Sequence, residues 1–252
     1  MSRLLHTMVA MLVLYLPVGP SLQCLAADRK QDAGIYVIGS LHELHATTPG
    51  FDYADLKRVI EATAPQVAVL ETRPDELSGR TDTPGRPEYP RIMWPYLAAN
   101  PSIKVTPIEP GGALFEAWVA QASADAKRFE EQNSTSNAYW NSYQQSLKSV
   151  LQLHWRAPAD AHDQVTADLA RSWYLIHYSL AGEAARKGQE RWDAYMLERA
   201  VRAARAHPKE RLLVLVSYRN RHRFEEALRA AQPARIVNIK DWLRASRSPA
   251  AR

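Results

Sequence analysis

Five short apolar runs in this chain each end in, or just short of, a residue able to bind a metal or move a proton. The runs 35–39, 67–70, 103–108, 212–216 and 236–239 lead into His42 and His45, Glu71, Glu109, His222 and Asp241 respectively. Short continuous apolar runs suit strands covered on both faces, the habit of a parallel sheet. Helix-like segments alternate with them, which favours parallel pairing through right-handed crossovers. Their carboxyl ends then share one edge, where open α/β sheets bind ligands. The expected fold is α/β: a mainly parallel sheet flanked by helices, with a helical insertion (112–208) between the third and fourth core strands.

Residues 1–27 are read apart from that core. Arg3, the apolar stretch 8–16, Pro17 and the small pair Ala26 and Ala27 have the make-up of a secretory signal peptide. The stretch is too short to span a bilayer, and no later segment reaches the eighteen or so apolar residues a membrane helix needs. Cys24 is the single cysteine, so cleavage after Ala26 leaves no thiol or disulfide chemistry. Acylation of Cys24, the lipoprotein alternative, is disfavoured by Gln23, which stands where a small residue is wanted. The expectation is an exported protein, periplasmic or extracellular, without a membrane span. Roughly 225 residues remain, enough for one domain (28–245) followed by a disordered tail (246–252). Net charge falls from +5 to about +4 with loss of Arg3, and the basic residues are interspersed with acidic ones. That is a solvated surface rather than a nucleic-acid footprint, and the expected partner is a small-molecule or peptide substrate.

Leu56, Val59 and Ile60 recur at helical spacing within 53–63. Segment 71–90 is rich in Pro, Gly, Asp and Thr and reads as a loop over the strand ends, either a lid or a plain connection. Pro107 pushes the third strand toward a sheet edge. Val165, Leu169, Trp173, Ile176 and Leu180 fall on one helical face, and Trp118, Trp140, Trp155 and Trp173 are expected as core anchors. Residues 221–231 read as a late helix.

The densest chemistry is Gly39-Ser40-Leu41-His42-Glu43-Leu44-His45, where a glycine at a strand end lets the backbone turn and present His42 to a cleft. On a helical turn His42 and His45 can face one point, as metal ligands do; the bland alternative is that they cap a turn or bond a carboxylate. Glu71 emerges from a buried strand and needs a partner: a metal, His42 or Arg73. Glu109 holds the equivalent place after the third strand, or is left exposed by the Pro-Gly-Gly turn that follows. His222 either closes the site opposite His42 or lies on the surface of the first turn of its helix.

These residues resemble the superfamily of TraB/PrgY, GumN and Tiki proteins, erythromycin esterases and ChaN-like haem-binding lipoproteins. The resemblance rests on a strand ending in Gly-x-x-His, on Val67-Ala68-Val69-Leu70-Glu71-Thr72-Arg73, on Arg191, Asp193 and Met196, and on a late strand running toward a second histidine before a helix. It spans most of 35–243. The glycine expected before the second histidine is missing from Ser217–His222, and Trp192 separates Arg191 from Asp193. The resemblance implies a His/Glu pocket at the strand ends, with His42 as metal ligand or general base, Glu71 its acidic partner, Arg73 an anion orienter and His222 the second imidazole.

The chemistry so implied is hydrolysis of a peptide or ester bond. A divalent ion held by His42, His45, Glu71 and His222, or a histidine base, would generate hydroxide, with Arg73 or Arg191 stabilising the oxyanion. Arg191, Asp193, Tyr218 and Glu109 are the expected substrate contacts. No Gly-x-Ser-x-Gly elbow or His-Glu-x-x-His helix competes, and the residues around Ser40 do not form such an elbow. The alternatives are a binding protein in which the histidines and Tyr218 hold haem or a metal, and a degenerate relative acting through protein contacts.

Overall fold

The computed structural model describes residues 33–80 and 85–247. The expected signal peptide, Arg3 and Cys24 lie outside these residues. Four strands, β1 (Ile35–Ser40), β2 (Val67–Leu70), β3 (Lys104–Pro107) and β4 (Leu212–Ser217), form one all-parallel sheet in the order β1-β4-β2-β3. Eight helices accompany them: α1 (Tyr53–Thr63), α2 (Pro74–Gly79), α3 (Trp94–Ala99), α4 (Gly112–Gln132), α5 (Ser134–His154), α6 (Gln164–Ala206), α7 (Tyr218–Ala231) and α8 (Ile239–Arg247). The α/β reading holds, and α4 to α6 fill the stretch between the third and fourth strands. Among the described residues no helix is long and apolar enough to cross a membrane.

Period-two alternation sorts the strand residues onto two covered faces. Ile38, Ala68, Leu70, Leu213 and Leu215 pack with residues of α1, α3, α5 and α8. Ile35, Val37, Val67, Val69, Val214 and Val216 pack with Met196, Ala200 and Ala204 of α6 and Phe224 and Leu228 of α7. β3 is an edge strand, so Pro107 withholds no ladder hydrogen bond from a further neighbour.

Several expectations need correction. Residues 236–239 are not a strand: only Ile236 bridges to Ile35 before α8 begins. That helix runs through Ser246 to Arg247, into the expected tail, because Ile239 and Leu243 bury on the sheet and Trp242 packs edge-on against Tyr36. Segment 71–90 contains α2 and the start of a π-helical turn, Tyr89–Met93. Of the stripe running from Val165 to Leu180, Leu169 and Trp173 pack half-buried against the core, while Val165 is exposed and the fully buried positions of that half are Thr166, Ala167, Ala170 and Tyr174. Of the four tryptophans, Trp155 and Trp140 are buried, and Trp118, Trp173 and one side of Trp140 line cavities. α6 breaks at Gly182, whose φ of 81° and ψ of −173° belong to a region almost reserved for glycine. A Cβ there would meet nothing within 4 Å, so conformation and not space demands glycine. Gly182→Ala is expected to lower unfolding free energy by about 1–3 kcal/mol, read by denaturant titration.

Two buried histidines secure the carboxyl end of β1. Nδ1–H of His162 donates to Pro158 O (2.6 Å) and its Nε2 accepts the Gly39 N–H (3.0 Å), an amide on the outer edge of the sheet. His45 repeats the pattern, with Nδ1–H to Phe51 O (2.7 Å) and Nε2 accepting the Leu41 N–H (2.9 Å). Burial lowers His45 to about 4, and burial together with the Arg221 charge lowers His162 to about 3. Below about 6.5 the unfolded chain takes up these protons while the native state does not, so stability falls as pH drops from about 6.5 toward 4. Acidification from pH 7 to 5 is expected to cost on the order of 2 kcal/mol per histidine, measured by denaturant titration. His162→Gln should flatten the profile; an unchanged slope would refute the assignment.

Candidate functional site

A cavity of about 280 Å³ opens at the carboxyl edge of the sheet, and every strand end contributes to it. β1 leads to His42, β2 to Glu71, β3 to Glu109, and β4 to Ser217, Arg219 and Asn220; the loop after α2 adds Arg86, and α6 closes the side with Trp173, Tyr174, Gln189, Trp192 and Met196.

His42 has a left-handed backbone, φ 55°, which few side chains adopt without strain. Its N–H donates to Ser40 Oγ (3.1 Å) and its carbonyl accepts from Tyr53 Oη (3.0 Å), so the conformation is held from both sides. The turn therefore falls at His42 and not at Gly39. Glycine serves position 39 for close approach, since a Cβ would lie 3.0 Å from Tyr218 Cα at the start of α7. The strained turn aims the imidazole: Nδ1 meets Glu88 Oε1 at 2.7 Å, leaving Nε2 for the cavity. Burial alone would raise the fully buried Glu88 carboxyl, but the hydrogen bond and charge of His42 outweigh it and hold the carboxyl below its ordinary value.

Glu71 is held by the Ser217 N–H (2.5 Å) and by Asn220 Nδ2 (3.4 Å). Tyr174 Oη donates to Asn220 Oδ1, so the amide is oriented with its nitrogen toward Glu71. Burial pushes the Glu71 carboxyl up; Arg86 and His42 oppose this, and Glu109 reinforces it. Arg86 forms a two-pronged ion pair with Glu109 (2.8 and 2.5 Å) and also donates to Glu71 O. The cavity thus carries a carboxylate-braced imidazole on one wall and a carboxyl inclined to hold its proton on another.

The sequence-predicted residues divide cleanly. His42, Glu71 and Glu109 share the cavity. His45 does not: both ring nitrogens are taken by backbone groups. His222 does not line it either. α7 starts at Tyr218, directly after β4, so at about 100° per residue Asn220 faces the cavity while His222 points away, among Arg171, Arg221 and Glu226. Arg73 pairs with Asp75 and Glu76 and lies over the Phe115 ring, and Arg86 supplies the cation at the carboxylates instead. Asp193 pairs with Arg223 on the flank of the cavity. Tyr218 is buried edge-on against Trp155, and Arg191 lies over Trp118 in a second cavity. Among the described residues no three His, Cys, Asp or Glu side chains meet as a metal set, and the nearest carboxylates are already engaged by Arg86 and Ser217.

Sequence reasoning missed Arg86, Glu88, Arg219 and Asn220. The first two sit in Pro84-Gly85-Arg86-Pro87-Glu88, charged residues within a stretch read as loop above the strand ends. The last two lie in the segment already singled out for His222. Comparison of the chain with models of known families, with curated proteins and with solved structures finds no match.

Proposed function

We propose that the protein is an exported hydrolase of ester or peptide bonds in which His42 is the general base. The single observation that carries the reading is the His42–Glu88 pair: a buried carboxylate on Nδ1 of an imidazole that lines a cavity, on a strained turn at a sheet edge. Such a partner fixes the tautomer and stabilises the imidazolium formed when Nε2 takes a proton. Nε2 would deprotonate a water, whose oxygen adds to the substrate carbonyl. Arg219 lines the cavity, lies over the Trp173 ring and spends its Nε on Tyr218 Oη, so its terminal nitrogens would receive the oxyanion. Glu71, inclined to stay protonated, would pass its proton to the leaving oxygen or nitrogen as the tetrahedral intermediate collapses. His42 then returns its proton to Glu71, closing the cycle. Engagement of the Glu109 and Glu71 carboxylates by Arg86 and the Ser217 N–H favours a histidine base over a divalent ion at this site.

The test is a screen of aryl esters and peptides with wild-type protein and His42→Ala, each with and without chelator. Turnover that requires His42 and survives chelator supports the reading. Turnover equal in both proteins would remove His42, and turnover abolished by chelator would restore the metal-assisted alternative.

A further inference from the structure

We infer that a second cavity, between α4, α5 and α6, is the site that receives a neutral aromatic group of the substrate, an inference that rests on the hydrolase reading for its meaning but not for its test. The cavity holds about 340 Å³, within the range of small-molecule sites. It exists because the facing helices present small residues, Ala122 and Ala126 from α4 and Ala181, Ala185 and Gly188 from α6. Around this space stand Trp118, Phe129, Trp140, His177 and Trp192. Trp140 lies 4.8 Å from His177 and 5.0 Å from Trp173, and Trp118 lies 5.8 Å from Trp192, centroid to centroid, at tilted angles that leave ring faces and edges for another ring.

Adjacency to the catalytic cavity decides what the occupant belongs to. Trp192 and Gln189 line both spaces, and Trp173, a wall of the catalytic cavity, stacks on His177 of the aromatic one at 5.4 Å. The two spaces thus share a wall, and a molecule with its carbonyl beside His42 would reach the aromatic space by displacing the Trp192 or Gln189 side chain. Charge fixes the class. An aromatic box commonly takes a cation, but here a cation is already in place, since the Arg191 guanidinium sits 4.6 Å over Trp118. An anion would face Asp125 and Glu130. A neutral ring meets neither objection, and the Asn137 and Asn141 amides at the margin can bond a polar edge.

Calorimetric titration with naphthylacetamide, which is uncharged and carries no ester, tests binding without turnover. Wild-type protein should bind it, and Gly188→Leu should weaken binding at least about tenfold, a loss of about 1.4 kcal/mol. A Cβ at Gly188 meets no atom within 4 Å, so the leucine enters the cavity without a backbone clash. Ala185→Leu, one turn away, serves where the first variant fails to fold. In kinetics, the ratio of kcat/KM for nitrophenyl naphthylacetate over nitrophenyl acetate should fall about tenfold in either variant. No binding to wild type, or binding unaltered in both folded variants, overturns the inference. Binding weakened by the leucine without any His42-dependent turnover sustains the aromatic site and overturns the hydrolase reading alone.

Discussion

Glu88→Gln is expected to lower kcat by about 10²–10⁴-fold and to cost some stability. The glutamine amide can still meet Nδ1, but as a donor it favours the tautomer with hydrogen on Nε2, the nitrogen that must accept a proton. The buried carboxylate whose charge would have balanced the imidazolium is also gone. Stability should fall as well, because the hydrogen bond and charge of His42 hold the buried Glu88 in its charged form and a neutral amide forgoes that attraction. His42→Ala should cost as much activity, and some stability too, because it strands the Glu88 charge and leaves alanine at a φ of 55°. His42→Gly, equally inactive, should recover part of that stability by accepting the left-handed backbone. Steady-state kinetics and denaturant titration on the three variants read both quantities. A Glu88→Gln protein that kept wild-type kcat would sink the general-base assignment, whatever its stability.

The sheet was legible because its residues state their environment. Val67 to Leu70 and Leu212 to Val216 are unbroken apolar runs, which two-sided burial requires and an exposed strand would not tolerate. Residues 236–239 have the same composition but precede an amphipathic helix, and tertiary packing of Ile239 and Leu243 overrode the local preference. Of the acidic and imidazole groups placed at strand ends, His42, Glu71 and Glu109 needed only the direction of a parallel strand. His222 needed the phase of a helix, and a start at Tyr218 in place of Arg221 rotates it out of the cavity. His45 shows a further limit. Its spacing from His42 suits a shared ligand, but the turn is a 3₁₀ segment entered from a left-handed residue, and the ring instead caps Leu41. Arg86 and Glu88 carry no periodicity, so only the tertiary fold brings them over the sheet. The same applies to the void beneath α4, which is made of alanines and a glycine that a pattern search passes over.

Arg86→Met is expected to destabilise the protein by about 3–5 kcal/mol, the cost of leaving a buried carboxylate without its cation. Glu109 is 3 % exposed and receives both prongs of the guanidinium, and the same side chain ties the Glu71 carbonyl to the loop that carries Glu88. The loss therefore has a charge part and an anchoring part, and a double-mutant cycle separates them. Arg86→Met with Glu109→Leu removes both ends of the pair and should restore most of the stability, because two apolar side chains can replace a buried ion pair at little net cost. Activity should not return with it, since the loop still lacks its tie to Glu71 and Glu88 is no longer fixed against Nδ1. Removing the Arg86 charge also frees the Glu71 carboxyl to rise further, so any residual activity should have its alkaline limb moved to higher pH. Denaturant titration of the four proteins of the cycle, with a pH profile of whichever retain turnover, measures these effects. Additive losses in the double variant would mean that Arg86 and Glu109 are not coupled and that the loop is held over the sheet by other contacts.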